Sequence, residues 1–266
     1  MSIDQTILTK LHAVQVEILD EFVKICSQND LTFFLTAGTL LGAVRHKGFI
    51  PWDDDLDVGM PRKDYNKFIN LASVSLSEKY YILSYKSDSN ARKYCINFAK
   101  FCKTGTIFAE SYKEAGHYPG IFIDIFPFDN CNPAFAPFQS FILRFILNIY
   151  RVKINAIYKK NFLFFLAKFF CFFIPIKLIA FLHETIPLKY KNNKKISYLS
   201  SIYGYKKEIH KYDVIYPIST ILFEGKHYPA PNNYDSYLKT MYGDYMELPP
   251  EEKRRTHLPE YIDFND

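Results

Sequence analysis

Apolar residues recur at helical spacing through the first thirty positions. Ile7, Leu8, Leu11, Val14, Ile18, Leu19, Phe22, Val23 and Cys26 form one stripe, so the pattern predicts an amphipathic helix over residues 4–29, ended by Asn29-Asp30. Leu31 to Leu35 is a short apolar run of strand length that leads into Gly38-Thr39, and a helix is expected from about Leu40 to Arg45, broken by Lys47-Gly48. The period then changes to two. Asp53, Asp55 and Asp57 alternate with Leu56, Val58 and Met60 in the manner of a half-buried strand, and a further helix is expected over Lys63 to about Ser77. Tyr80–Leu83, Ile96–Phe101 and Gly120–Pro127 read as strands, the last interrupted only by Asp124.

From residue 138 to 195 the pattern changes character. Phe141–Ile149 and Phe162–Leu182 are dense in Phe, Leu and Ile, punctuated by Lys and Arg, with Glu184 the single acid of the stretch. A span needs about 20 uncharged apolar residues, and Lys168, Pro175 and Lys177 break the run. Two readings stand: a basic helical pair on a membrane surface, or a helical insertion packed on the core. Residues 201–248 return to short mixed elements, Pro249-Pro250 closes the fold, and a polar tail follows. The order of elements predicts an α+β chain: a catalytic core in 1–137, the basic hydrophobic helical insertion in 138–200, and a C-terminal part in 201–266 that completes the catalytic domain.

At 266 residues the chain can bury a substantial core. Its net charge of +5 comes without any basic arm or RNA-binding signature, so nucleic acid is not an expected partner. Five cysteines without a Cys-x-x-Cys pair point to reduced thiols, and Met-Ser-Ile-Asp-Gln-Thr lacks a signal pattern. The expected location is cytoplasmic, with peripheral contact at the inner face of the plasma membrane.

The chemistry concentrates in the triple-aspartate segment. Side chains alternate across an extended strand, so Asp53, Asp55 and Asp57 would share one face, with Asp54 turned away. Like charges so close repel unless a cation sits among them, and clustered oxygens suit a hard divalent ion such as Mg²⁺. An EF-hand is excluded because Val58 holds the sixth position and Asp64 the twelfth. A lone Asp124 in an apolar strand is costly to bury unless a cation or donor compensates it.

Gly38-Thr39, a helix, and then Asp55-Leu56-Asp57-Val58 resemble the polymerase-beta-like nucleotidyltransferase superfamily, and the whole run from Gly38 to Arg62 resembles the LicD family, bacterial phosphocholine transferases distantly related to fukutin-related proteins. Gly120–Pro127 and Tyr237–Pro250 carry further likeness, whereas 138–200 carries little. The resemblance implies a nucleotidyltransferase-like mixed β-sheet flanked by helices. It implies transfer of phosphocholine from CDP-choline, or a similar CDP-alcohol, to a sugar hydroxyl of a lipid-linked glycan precursor in teichoic acid, lipopolysaccharide or capsule assembly.

On that footing Asp55 and Asp57 are the ligands of one or two Mg²⁺ ions, with Mn²⁺ able to take their place. Asp53 is a further ligand or an orienting neighbour. Asp124 completes the metal site, takes the proton from the attacking hydroxyl, or does both. Gly38 and Thr39 suit phosphate at a helix start. Arg45 and Arg62 would neutralise phosphate or balance the excess acids. His46 touches substrate or is structural, and Trp52 faces a choline head or packs in the core. Arg254, Arg255 and His257 form a basic flap or a solvated tail. The competing functions are nucleotidyl transfer, another CDP-alcohol transfer, an Asp-x-Asp glycosyltransferase, and an idle glycan- or membrane-binding protein. The short N-terminal stretch argues against the glycosyltransferase and the complete acid set against the idle protein.

Overall fold

A computed structural model describes residues 5–84, 97–109, 120–153, 162–187, 194–201, 203–254 and 259–265. The expected strand start at Ile96 and the flap residues Arg255 and His257 lie outside the described residues. Helix α1 (Gln5–Gln28) buries Leu8, Leu11, Gln15, Ile18, Leu19, Phe22 and Cys26, along the stripe expected for it. Strand β1 (Phe34–Leu35) leads into α2 (Ala37–His46), which begins three residues earlier than the spacing suggested and takes Gly38 and Thr39 into its first turn. It ends at Lys47, in the left-handed region at φ 62.

Strand β2 (Asp57–Pro61) is shorter than expected. Only Asp57 of the three alternating aspartates lies on it, and Asp53 to Leu56 form an irregular lead-in. Helix α3 (Arg62–Ser75) and strands β3 (Tyr80–Leu83), β4 (Ala99–Lys103), β5 (Ile107–Ala109) and β6 (Phe122–Asn130) follow. The expected helical pair is three helices: α4 (Ala136–Lys153), α5 (Phe162–Phe172) and α6 (Ile176–Thr185). No described helix is long and apolar enough to cross a membrane. Then come β7 (Lys195–Ser197), α7 (Tyr205–Glu208), β8 (Ile209–Lys211), α8 (Tyr212–Ile215), the hairpin of β9 (Ser219–Phe223) and β10 (Lys226–Ala230), and α9 (Tyr234–Tyr242). The polar tail is not free: β11 (Tyr261–Asp263) pairs with β5.

The main sheet is mixed, in the order β1-β2-β6-β4-β3, with β2 parallel to β6 and the other neighbours antiparallel. Beyond that path β7 pairs with the far end of β6, and β8 with β7. Helices α1 and α3 meet over the sheet, where Phe22 packs edge-on against Phe68 at 4.9 Å and Phe68 against Phe101 of β4 at 5.8 Å. One large apolar core lies beneath these elements, and α4 and α6 enclose a separate small one around Ile146, Tyr150, Ile179 and Ala180. Cys26, Cys102, Cys131 and Cys171 are buried free thiols.

Candidate active site

The parallel β2–β6 pair sets Asp57 beside Asp124, and the antiparallel β4–β6 pair sets Lys100 on the other side of Asp124. Partners in register share a face of the sheet, so Asp57, Asp124 and Lys100 form a row across three strands. Lys100 Nζ stands 3.2 Å from Asp124 Oδ1 and over the Phe122 ring, 3.2 Å from its centroid. All three residues are buried.

Asp53 and Asp55 approach this row from the lead-in and share a side-chain hydrogen bond. Burial, then the charge of Asp55, holds the Asp53 carboxyl well above the usual carboxylate range. Burial also raises Asp57, followed by the charges of Asp55, Asp124 and Asp53, with Lys100 acting against them. The four expected acids therefore act on one another.

The lead-in is held from two sides. From α1, His12 Nε2 donates to the Asp53 carbonyl at 2.7 Å, its ring stacked on Phe49 at 3.8 Å, and Gln15 Nε2 donates to the Asp54 carbonyl at 2.9 Å. Burial lowers the pKa of His12, consistent with a neutral ring whose Nε2 carries the proton. Asp54 is buried. From α2, Thr39 Oγ1 accepts the Asp57 N–H at 2.7 Å, and the Thr36 N–H donates to the Asp57 carbonyl at 3.2 Å. A Cβ on Gly38 would lie 2.7 Å from Asp53 Oδ2, and one on Gly42 would lie 2.5 Å from the Gly48 carbonyl. Gly38 is needed because the acid segment packs directly against the helix, and Gly42 because the backbone of Gly48 to Ile50 does. Ala37 turns the chain into α2 at φ 46, a left-handed conformation that costs a non-glycine residue about 1 kcal/mol.

Arg45 Nη1 donates to the Tyr245 carbonyl at 3.0 Å and Arg45 Nε to His46 Nε2 at 2.9 Å. Burial and the Arg45 charge lower the His46 pKa. His46 meets Trp52 edge-on at 6.3 Å, and the Arg254 guanidinium lies over the Trp52 ring at 4.5 Å. These residues form a basic and aromatic wall in which burial and the charge of Arg254 lower the Arg45 pKa, with the charge of Asp53 acting against them. Arg62 stands apart from them. It makes a two-pronged pair with Asp129, Nε to Oδ1 at 2.9 Å and Nη2 to Oδ2 at 2.7 Å. Burial pushes the guanidinium pKa down, but Asp129 more than offsets it and the net shift is upward.

Several residues at the site were not singled out from the sequence. Lys100 shows the same signal as Asp124, a lone charge in an apolar strand, and the same argument would have found it. Tyr203 and Tyr242 pack edge-on at 5.8 Å and share a hydrogen bond. Burial raises Tyr203, and the charges of Asp57, Asp55 and Asp53 raise it further. Tyr242 falls in the Tyr237–Pro250 stretch that carries family likeness, whereas no spacing marks Tyr203 among the 21 tyrosines in the chain. A separate polar cavity of about 570 Å³, lined by Lys195, His210, Lys211 and Asn232 among others, shares no lining residue with the acids.

The donor set is all carboxylate, held against one lysine, which fits a hard divalent cation. Among the described residues, however, no three His, Cys, Asp or Glu side chains are gathered closely enough to hold an ion as they stand.

Residues 30–144 match the family described as LicD/FKTN/FKRP, nucleotidyltransferase domain. The chain is 31% identical over 264 residues, 94% of its length and 95% of the relative's, to the lipopolysaccharide cholinephosphotransferase LicD of Haemophilus influenzae. The chain belongs to the LicD family. A second relative, an uncharacterized protein of Rickettsia prowazekii, is 30% identical over 112 residues, 38% of this chain and 41% of that protein. The LicD-family match holds Gly38, Thr39, Lys100 and all four acids, whereas Tyr203, Tyr242 and Arg254 lie beyond residue 144. Likeness to the LicD transferase over nearly the whole chain supports transferase activity.

Proposed function

We propose that the protein transfers phosphocholine from CDP-choline to a sugar hydroxyl of a cell-surface glycan, with Mg²⁺ at the aspartate cluster. The observation that carries this reading is the row Asp57–Asp124–Lys100 beside the first turn of α2, in a chain aligned over 94% of its length with a cholinephosphotransferase. Asp55 and Asp57 would hold the ion, with Asp53 and Asp124 adjoining. When bound, Mg²⁺ would offset the charge of the donor pyrophosphate.

The first turn of α2 presents the positive end of its dipole to the segment where the donor phosphates would lie. Arg45 adds a fixed positive charge. In the transfer, the acceptor oxygen bonds to the choline-bearing phosphorus, the bond from that phosphorus to CMP breaks, and the hydroxyl proton passes to Asp124. Lys100, 3.2 Å from Asp124, fixes the direction of that carboxylate.

Incubating the protein with CDP-choline, Mg²⁺ and candidate glycans tests the reading. The expected products are CMP and a phosphocholine-bearing glycan. Release of pyrophosphate from a nucleoside triphosphate, with no CMP from CDP-choline, would overturn it in favour of nucleotidyl transfer.

A further inference from the structure

Helices α4, α5 and α6 are apolar on two sides. The inner side meets the rest of the insertion: Ile146 and Tyr150 of α4 pack with Ile179 and Ala180 of α6, and Gln139 Nε2 donates to the Ile186 carbonyl at 2.9 Å. The outer side faces water. On α4, Phe138, Phe141 and Phe145 recur at intervals of three and four and are 65%, 68% and 59% exposed. At the end of α5, Phe169 and Phe172 pack edge-on against Phe173 at 5.2 and 5.7 Å, and Phe172 is 74% exposed. On α6, Phe181 is exposed beside Leu178 and Leu182.

All nine exposed phenylalanines among the described residues fall between positions 135 and 181. Soluble surfaces scatter such residues singly, and a concentration of this kind marks a contact surface. The charges say which contact. Residues 136–187 contain seven Lys and Arg and one acid, Glu184. Arg144 lies exposed between Phe141 and Phe145, and Lys177 lies exposed beside Leu178. Lys153 Nζ donates to the Phe172 carbonyl at 2.7 Å, which puts a cation at the edge of the ring cluster. A second copy would set these cations against themselves, whereas an anionic surface complements them. Exposed aromatic rings bordered by basic residues, on helices too short to span, are the composition of a layer lying in a membrane interface.

We infer that α4, α5 and α6 form a docking platform for an anionic lipid surface. The exposed phenylalanines enter the interfacial layer, and Arg144, Lys153 and Lys177 lie at the level of the lipid phosphates. This binding requires neither donor nor acceptor, so it stands apart from the transfer chemistry.

Flotation of the full chain with vesicles tests it. At low salt the protein should float with vesicles containing about 30% phosphatidylglycerol and far less with phosphatidylcholine alone. F141S/F145S should weaken partition at least about tenfold through lost apolar insertion. R144E/K177E should weaken it by a similar factor, and added salt should have less effect on that variant than on the parent. Thermal melts and CMP release with a water-soluble acceptor should be unchanged in both variants, so a failure of lipid binding and a failure of the transferase reading are seen separately. Three results would overturn the inference: no binding of the parent to anionic vesicles, equal binding to both vesicle types, or a dimer in light scattering that F141S/F145S dissociates while vesicle binding is untouched.

Discussion

Lys100 and Asp124 face each other across the β4–β6 ladder with nitrogen and oxygen 3.2 Å apart and both side chains nearly out of water. Asp57 adjoins the same carboxylate from β2. One lysine thus limits the negative charge of the row and fixes the direction of the acid in it.

Lys100→Met should leave a buried carboxylate without its cation and lower stability by about 3–5 kcal/mol. The double variant Lys100→Met/Asp124→Asn should recover most of that loss. Urea unfolding of the two singles and the double measures the coupling, and additive losses would show that the pair does not act as one.

Asp57→Asn should reduce CMP release from CDP-choline by about a thousandfold or more. The same change removes one of several mutually repelling carboxylates, so the melting temperature should stay level or rise. Added Mg²⁺ should raise the melting temperature of the parent and not of the variant. A fully active Asp57→Asn protein would end the assignment.

Arg62 is engaged with Asp129 through two hydrogen bonds. Arg62→Gln should therefore act on stability, by about 3–5 kcal/mol for a broken buried pair, with the KM for donor unchanged at temperatures where the variant is folded. A KM rise of tenfold or more without loss of stability would return Arg62 to phosphate binding.

Much of this architecture can be read from the sequence where periodicity is long. The α1 stripe and the lone acid in β6 are visible at once. Position along the acid segment is less so. The alternation of Asp53, Asp55 and Asp57 suggests one strand, but the lead-in is shaped by His12 and Gln15, 41 and 39 residues away along the chain. Such tertiary contacts leave no local mark. The three-residue strands β7, β8 and β11 are too short for any period to register, and β11 lies in a stretch that reads as polar tail. Tyr203 and Tyr242 reach the acids only because the chain returns there after the helical insertion.

Stability should also depend on pH in a way that single substitutions separate. Burial lowers His183 and His210 to about 4, Arg62 adding to the shift at His183, and burial raises Glu208 to about 7 against the hydrogen bond from Ser201. Between about 6.5 and 4 the unfolded chain protonates these histidines before the folded one does, so their contribution is present above about 6.5 and is lost as pH falls. Glu208 has the opposite sign: its contribution is present below about 4.5 and is lost as pH rises to about 7. Within the shared window Glu208→Gln should make stability fall more steeply on acidification than in the parent, by about 1.4 kcal/mol per pH unit, and His183→Gln should make the fall shallower by a similar amount. Denaturant melts at about pH 5, 5.5 and 6, within the range of about 4.5–6.5 where the two effects overlap, give the slopes.

Strand β6 carries Asp124 near one end and, past Asn130, runs into the helical platform. It is hydrogen-bonded to β2 and β4 at the first end and to β7 at the other, so it has no joint. At about 3.4 Å per residue, the six steps from Asp124 to Asn130 make a stiff rod of about 20 Å. With the platform resting on a lipid surface, that rod would hold the proposed base, Asp124, at a set height above it. Choice among the hydroxyls of the proposed lipid-linked glycan would then become partly a matter of reach: a sugar too near the lipid or too far from it would be out of range, whatever its chemistry.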